Sequence, residues 1–220
     1  MSLLKSLRSV ANTYISMITE SELGGGTLHS FDADETLFKT NAKVHVMHGK
    51  KHVASLSNSE YNTHKLAPEH HYDYSEFEDS KKFHDESHPI HKMLAKVKAI
   101  HSNIKNSPDH KIIINTARSD MNDKETYLAK FKKHGLPMHD IHVHRAGNDK
   151  TPGSVAQKKA RVIDHQITTH KFKNVHVYDD SKENLDHSLA LGAKHSNTKI
   201  HAWHVHHDGS IKAYHGGTQK

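Results

Sequence analysis

Five short apolar runs interrupt an otherwise polar chain: TLHSFD (27–32), KIIINTA (111–117), DIHVHRA (140–146), NVHVYDD (174–180) and KIHAWHV (199–205). Their length and β-branched content predict strands. The stretches between them carry a helical period. In HPIHKMLAKVKAIHSNI (88–104), Ile90, Met93, Leu94, Val97 and Ile100 recur every three or four residues. DKETYLAKFKKHG (123–135) opens with acidic residues and closes on Lys132, Lys133 and Gly135, the charge order a helix dipole prefers. SVAQKKARVIDHQI (154–167) and SKENLDHSLALG (181–192) complete the set. Strands alternating with helices predict an α/β architecture, a parallel sheet covered on both faces. Ligands of such sheets bind at the carboxyl ends of the strands. The first four runs end there in polar residues.

Residues 41–87 break the alternation. KVHVMHGKKHVASL (43–56) predicts a hairpin, with Val44 and Val46 alternating and Gly49 marking the turn. NSEYNTHKLAPEHHYDYSEFEDSKKF (58–83) is polar, aromatic-rich and irregular. Because the insert follows the first strand directly, it is expected to stand over the strand ends as a small cap. A surface elaboration without contact to the site is the alternative. MSLLKSLRSVANTYISMITE (1–20) predicts a basic amphipathic helix, joined to the first strand by the flexible LGGGT (23–27). The expected organisation is a terminal segment over 1–26 and one domain over 27–220, with the insert at 41–87.

Composition narrows the function. No run of eighteen apolar residues is present, so no transmembrane helix and no membrane partner are expected. The absence of cysteine excludes disulfides, thiolate zinc sites and cysteine nucleophiles. A net charge of +6 and a pI near 9.2 favour anionic partners such as phosphate esters or nucleic acid. No helix-turn-helix or RNA-binding signature accompanies that charge. Histidine is the anomaly, 26 of 220 residues, with clusters in EHHYD (69–73), HVHR (142–145) and HAWHVHH (201–207). On a strand, His204 and His206 share a face, a spacing able to hold a transition metal. Their scatter elsewhere makes polar surface filling the simpler expectation.

The carboxylates at the end of the first strand carry the chemistry. In DADET (32–36), Asp32 and Asp34 are one residue apart and repel unless a cation or a reaction holds them. Thr116 ends a second strand, Lys158 and Lys159 lie near the start of a helix in VAQKKARVID (155–164), and Asp179 and Asp180 end a further strand in VYDDS (177–181). Converging strand ends gather these groups in one crevice. Hard oxygen donors with room for water suit Mg²⁺, and a lysine with a hydroxyl suits a phosphate. One helical step is about 100°, so only one of the adjacent lysines faces the crevice squarely. Lys159, three and four residues before Val162 and Ile163, shares their inward face and is preferred over Lys158.

The order of these four motifs, over about residues 27–205, resembles the haloacid dehalogenase (HAD) superfamily of phosphotransferases. The resemblance implies a Rossmann-like three-layer sandwich with a cap insert, and a Mg²⁺-dependent phosphatase working through an aspartyl-phosphate. Carried over by position, it implies Asp32 as the nucleophile and Asp34 as the general acid, then base. Neighbouring charge and a partly dry site are expected to favour a protonated Asp34. Thr116 would bond a phosphate oxygen, and the lysine would offset charge in the transition state. Asp179 with Asp180, Asp32 and the main-chain carbonyl of Asp34 would hold Mg²⁺. Thr36 is expected to order the loop.

FDADETLFKT, INTARSD and VYDDS further resemble the phosphatase domain of phage polynucleotide kinase-phosphatases and related phage HAD proteins, although no kinase P-loop precedes them here. That points to a nucleotide or nucleic-acid 3′-phosphate as substrate, within the wider class of phosphorylated small molecules. Arg118 and Arg145, just past strand ends, are the substrate-binding candidates. A phage-encoded protein of this kind would work in the cytoplasm of the infected host. Ile18, Thr19 and Glu20 before Ser21 resemble the site where large tailed phages cleave a prohead-directing segment, which would place the processed protein in the virion. A transit peptide or an ordinary terminal helix are the rivals. Three other functions compete: phosphoryl transfer to an acceptor other than water, a structural role in the virion, and histidine-based metal storage. Paired aspartates with a lysine favour the phosphatase.

Overall fold

A computed structural model of the protein describes residues 26–61 and 63–217. The expected terminal helix, most of the glycine link and the Ile18–Glu20 triplet lie outside the described residues. In chain order the elements are β1 (Thr27–Phe31), β2 (Phe38–Lys39), β3 (Val44–His48), β4 (Lys51–Leu56), α1 (Asn58–Tyr61), β5 (His70–Asp73), α2 (Ser80–Glu86), β6 (His88–Pro89), α3 (His91–Ile104), β7 (Lys111–Thr116), α4 (Lys124–Lys133), β8 (His142–Arg145), α5 (Val155–His170), β9 (Asn174–Asp179), α6 (Lys182–Ala190), β10 (Lys199–Val205) and β11 (Ile211–Tyr214).

The main sheet has six strands in the order β11-β10-β9-β1-β7-β8, parallel except for β11. From β1 the chain moves outward through β7 to β8. It then crosses back to β9, on the other side of β1. The reversal puts a crevice at the carboxyl ends of β1 and β9. Period-two alternation sorts the strand residues onto two cores. Phe31, Ile112, Ile114 and Tyr178 pack with Met93, Leu94 and Val97 of α3 and with Tyr127 and Phe131 of α4. Leu28, Ile113, Val175 and Val177 pack with Ile163 and Ile167 of α5 and Leu185 of α6. The strands read as continuous apolar runs because both faces are buried.

The insert has its own three-stranded antiparallel sheet, β4-β3-β5, around Val44, Val46 and Leu56. A short ribbon pairs β2 with β6 where the chain leaves for the insert and returns. The expected irregularity over 58–83 is corrected here. β5 forms because residues 70–73 pair with β3, a partner some 25 residues away in the chain. Asp79 starts α2 by accepting from Lys82 N, and Phe83 buries its inner face. Strand β11 also has no counterpart among the expected runs. It returns beside β10 through a turn at Gly209, whose φ of +76° suits glycine.

The histidines are not all surface filling. His29, His176 and His201 stand in register on β1, β9 and β10, their rings stacked at 5.0 and 4.7 Å. His29 and His176 are buried beneath α3, whose Lys96 lies 5.4 Å from the Tyr178 ring centre. Burial, with the positive neighbours His176, Lys96 and His110, holds His29 well below its ordinary value. Burial, then His201 and Lys96, pushes His176 down to about 3. Both rings are therefore neutral in the fold and must charge on unfolding below about pH 6.5. Their stabilising effect is complete above that pH and is lost as pH falls. At pH 5 His176 contributes a loss of about 2 kcal/mol. Urea unfolding at pH 7.5 and 5.0 should show His176→Gln removing about 2 kcal/mol of the pH dependence; an unchanged dependence would contradict a neutral, buried His176.

Candidate active site

The crevice is assembled from the strand ends inward. Asp32 follows β1, and its N–H donates to the Tyr178 carbonyl at 2.9 Å. This extends the β1–β9 ladder by one residue and sets Asp32 beside Asp179. Helix α5 starts at a capping box in which Ser154 and Gln157 bond each other's backbone N–H. The cap sets the phase of the helix. Ala156, Lys159, Ala160, Ile163 and Ile167 then fall on its buried stripe. Asn115 of β7 donates to the Lys159 carbonyl at 3.0 Å and pins that turn to the sheet. Lys159 Nζ donates to Asp32 Oδ1 at 2.7 Å and to Asp179 Oδ2 at 2.6 Å, with the residue only 3% exposed. Lys158 is partly exposed and makes no such contact among the described residues.

Asp179 accepts three hydrogen bonds. Its Oδ1 accepts from Ser181 N and Asn184 Nδ2, both at 2.9 Å, while Lys159 takes Oδ2. Asp180 is half-buried and its carboxyl has no hydrogen-bond partner among the described residues. Its carbonyl accepts from His204 Nε2 at 2.9 Å. Burial opposes charge on Lys159, but Asp179 and Asp32 outweigh it and hold the amine above its usual range. Burial, opposed by Lys159 and aided by Asp179 and Asp34, pushes Asp32 up to about 7. Burial, then Asp179 and Asp32, pushes Asp180 up to about 9. Asp32, Asp179 and Asp180 each offer an oxygen within 4.8 Å of the others. An all-oxygen donor set of this kind could hold a metal ion, and hard donors suit a divalent cation. His204 and His206 instead meet edge to face, ring centres 4.7 Å apart, and join no such group among the described residues.

The other expected site residues divide. Thr116 is fully buried at the end of β7, and its Oγ1 accepts from Arg118 N at 3.2 Å, leaving its proton to donate. Asp34 contributes no side-chain oxygen to the acidic group. Arg118 Nε and Nη2 donate to its two oxygens at 2.9 and 2.7 Å, so the carboxyl aims no proton into the crevice in this conformation. Arg118 itself is 3% exposed, committed to Asp34 and to groups of the insert rather than open to a substrate. Arg145 pairs with Asp120 at 2.7 Å on the surface side of β8. Thr36 is buried, yet its hydroxyl has no partner among the described residues. The loop is tied instead by Glu35, at φ +57°, whose Oε1 accepts from Thr40 N at 3.1 Å and Asn58 Nδ2 at 3.5 Å.

Sequence reasoning missed Glu35, Asn115 and Asn184. Asn184 had a local signal, since Ser181 caps α6 by accepting from Asn184 N. Asn115 acts through Lys159, 44 residues away, and Glu35 through Thr40 and Asn58, and neither contact has a sequence pattern. Searches with protein-family models, curated proteins and solved structures return no match to this chain.

Proposed function

We propose that the protein is a Mg²⁺-dependent phosphatase of the HAD type, acting on nucleotide or nucleic-acid phosphate monoesters through an aspartyl-phosphate at Asp32. The observation that carries this reading is the Lys159 amine bridging Asp32 and Asp179 at adjacent strand ends, beside an open Asp180 carboxyl. A buried cation between two carboxylates, with a third carboxylate in reach, suits a site that must accept both a metal and a phosphate dianion. Asp32 attacks phosphorus as the ester P–O bond breaks, and Asp34 protonates the departing oxygen. Water, deprotonated by Asp34, then attacks phosphorus. The P–Oδ bond breaks, phosphate leaves and Asp32 is restored. Lys159 offsets charge on the equatorial oxygens, and the Thr116 hydroxyl donates to one of them. Mg²⁺ held by Asp32, Asp179 and Asp180, with the Asp34 carbonyl, would neutralise charge on the transferring group. The nucleotide preference rests on the FDADETLFKT and INTARSD resemblance and on the +6 charge.

The deciding experiment is phosphate release with Mg²⁺ from mononucleotides, 3′- and 5′-phosphorylated oligonucleotides and sugar phosphates. Release from at least one class, abolished by chelation, is expected. No release across the panel would end this reading, and release only with an added alcohol acceptor would convert it to a phosphotransferase. Metal binding should also be proton-linked. Asp180 lies at about 9 without metal, so cation binding displaces a proton, and affinity rises with pH through the neutral range. Asp180→Asn should weaken Mg²⁺ binding about tenfold or more and flatten that rise. Calorimetry in buffers of different ionisation enthalpy reads both effects; unchanged proton release in the variant would remove Asp180 from the ligand set.

A further inference from the structure

Arg118 lies two residues past β7 and touches three parts of the molecule at once. Its Nε and Nη2 fork both oxygens of Asp34, Nη2 also reaches Thr40 Oγ1 at 3.3 Å, and Nη1 donates to the Phe77 carbonyl at 2.6 Å. Thr40 lies just beyond β2, where the chain departs into the insert. Phe77 lies on the returning side, before α2. The guanidinium is also stacked near the rings of Phe77 and Phe83, at 5.0 and 4.7 Å. A seam of hydrogen bonds continues the contact: Ser119 Oγ to Glu78 Oε1, Asn122 N to the Glu78 carbonyl and Ser80 N to Asn122 Oδ1, each at 3.0 Å. The backbone of Arg118 has no slack beneath it. A Cβ on Gly147 would fall 2.5 Å from the Ala117 carbonyl oxygen and 2.8 Å from the Arg118 carbonyl carbon.

We propose that Arg118 is a positioning residue that couples the seating of the 41–87 insert to the orientation of Asp34. The kinetic side of this inference rests on the phosphatase reading; the structural side does not. While the insert sits as it does here, both Asp34 oxygens are taken. Turning one of them toward a leaving oxygen requires the fork to shift, and the same shift disturbs the contacts to Phe77 and Thr40. A substrate that moves the insert therefore resets Asp34, so that acid catalysis follows the seating of the insert.

The test combines exchange and kinetics. Amide hydrogen exchange over residues 74–78 should accelerate about tenfold or more in Arg118→Met, since charge-assisted bonds are lost. Asp34→Asn should accelerate the same amides, and adding it to Arg118→Met should change nothing further. Additive effects, or unchanged exchange in Asp34→Asn, would overturn the coupling. In turnover, Arg118→Met should lower kcat about 100-fold for an alkyl phosphate but less than about tenfold for p-nitrophenyl phosphate, whose leaving group needs no proton. Raised KM with unchanged kcat on both esters would show a substrate-binding arginine instead. Arg118→Lys keeps the charge without the fork and should resemble Arg118→Met; it carries the same measurements if the latter does not fold. A wild-type protein that releases no phosphate refutes the phosphatase reading, while the exchange cycle still decides the coupling.

Discussion

Asp32→Asn is expected to abolish phosphate release, by about a thousandfold or more. The amide cannot attack phosphorus, so no aspartyl-phosphate forms. The fold should survive, because the amide has the shape of the carboxyl and its oxygen can still accept from Lys159, the contact seen at 2.7 Å. The substitution also removes one of two carboxylates competing for that amine, leaving Asp179 as its partner at 2.6 Å. Thermal unfolding and circular dichroism should therefore match the wild type while turnover disappears. A purified variant that keeps a tenth of the wild-type rate would remove Asp32 from the nucleophile position.

Lys159→Met should damage both stability and turnover. The amine is the cation found between Asp32 and Asp179, and all three residues are buried. Removing one partner of a buried ionic group leaves the others uncompensated, which costs about 3–5 kcal/mol. The carboxylates would respond by holding protons more tightly in the folded state. A raised folded-state pKa contributes stability at low pH that is lost as pH rises, so the deficit should be larger at pH 8 than at pH 5. Mg²⁺ should recover part of it by restoring positive charge between the aspartates. Turnover should fall about 100-fold to 1,000-fold even with Mg²⁺, since a charge facing the transition state is gone. Urea unfolding with and without Mg²⁺ at the two pH values tests the first claim, and steady-state rates test the second. Lys158→Met, at a partly exposed position outside these contacts, should behave like the wild type. The reverse pattern, an inactive Lys158→Met beside a normal Lys159→Met, would exchange the two roles.

The division between local and tertiary information is visible residue by residue. The strands at 27–31, 111–116, 174–179 and 199–205 were legible because continuous β-branched and aromatic runs suit a sheet buried on both sides. Helix α5 was legible to the level of a single side chain. Ala160, Ile163 and Ile167 define its buried stripe, and a rotation of about 100° per residue puts Lys159 on that stripe and Lys158 off it. The paired aspartates were legible because repelling carboxylates at a strand end need a compensating charge. Periodicity and charge are local properties, and neighbouring residues are enough to set them.

Contacts between distant segments were decided only in the folded molecule. Arg118 meets Asp34 from 84 residues away, and Asn115 reaches the Lys159 carbonyl across 44. Strand β5 exists because β3 offers it an edge, and His29 and His176 are neutral because parallel pairing stacks them under α3. None of these residues carries a pattern that distinguishes it from a surface arginine, asparagine or histidine. By itself the sequence determined which faces are buried and which strand ends carry carboxylates, since each follows from the repeat of a helix or strand. The tertiary structure decided which polar groups share the crevice and what each is bonded to. Desolvation and pairing depend on every segment packed around a group, and those segments come together only when the sheet closes.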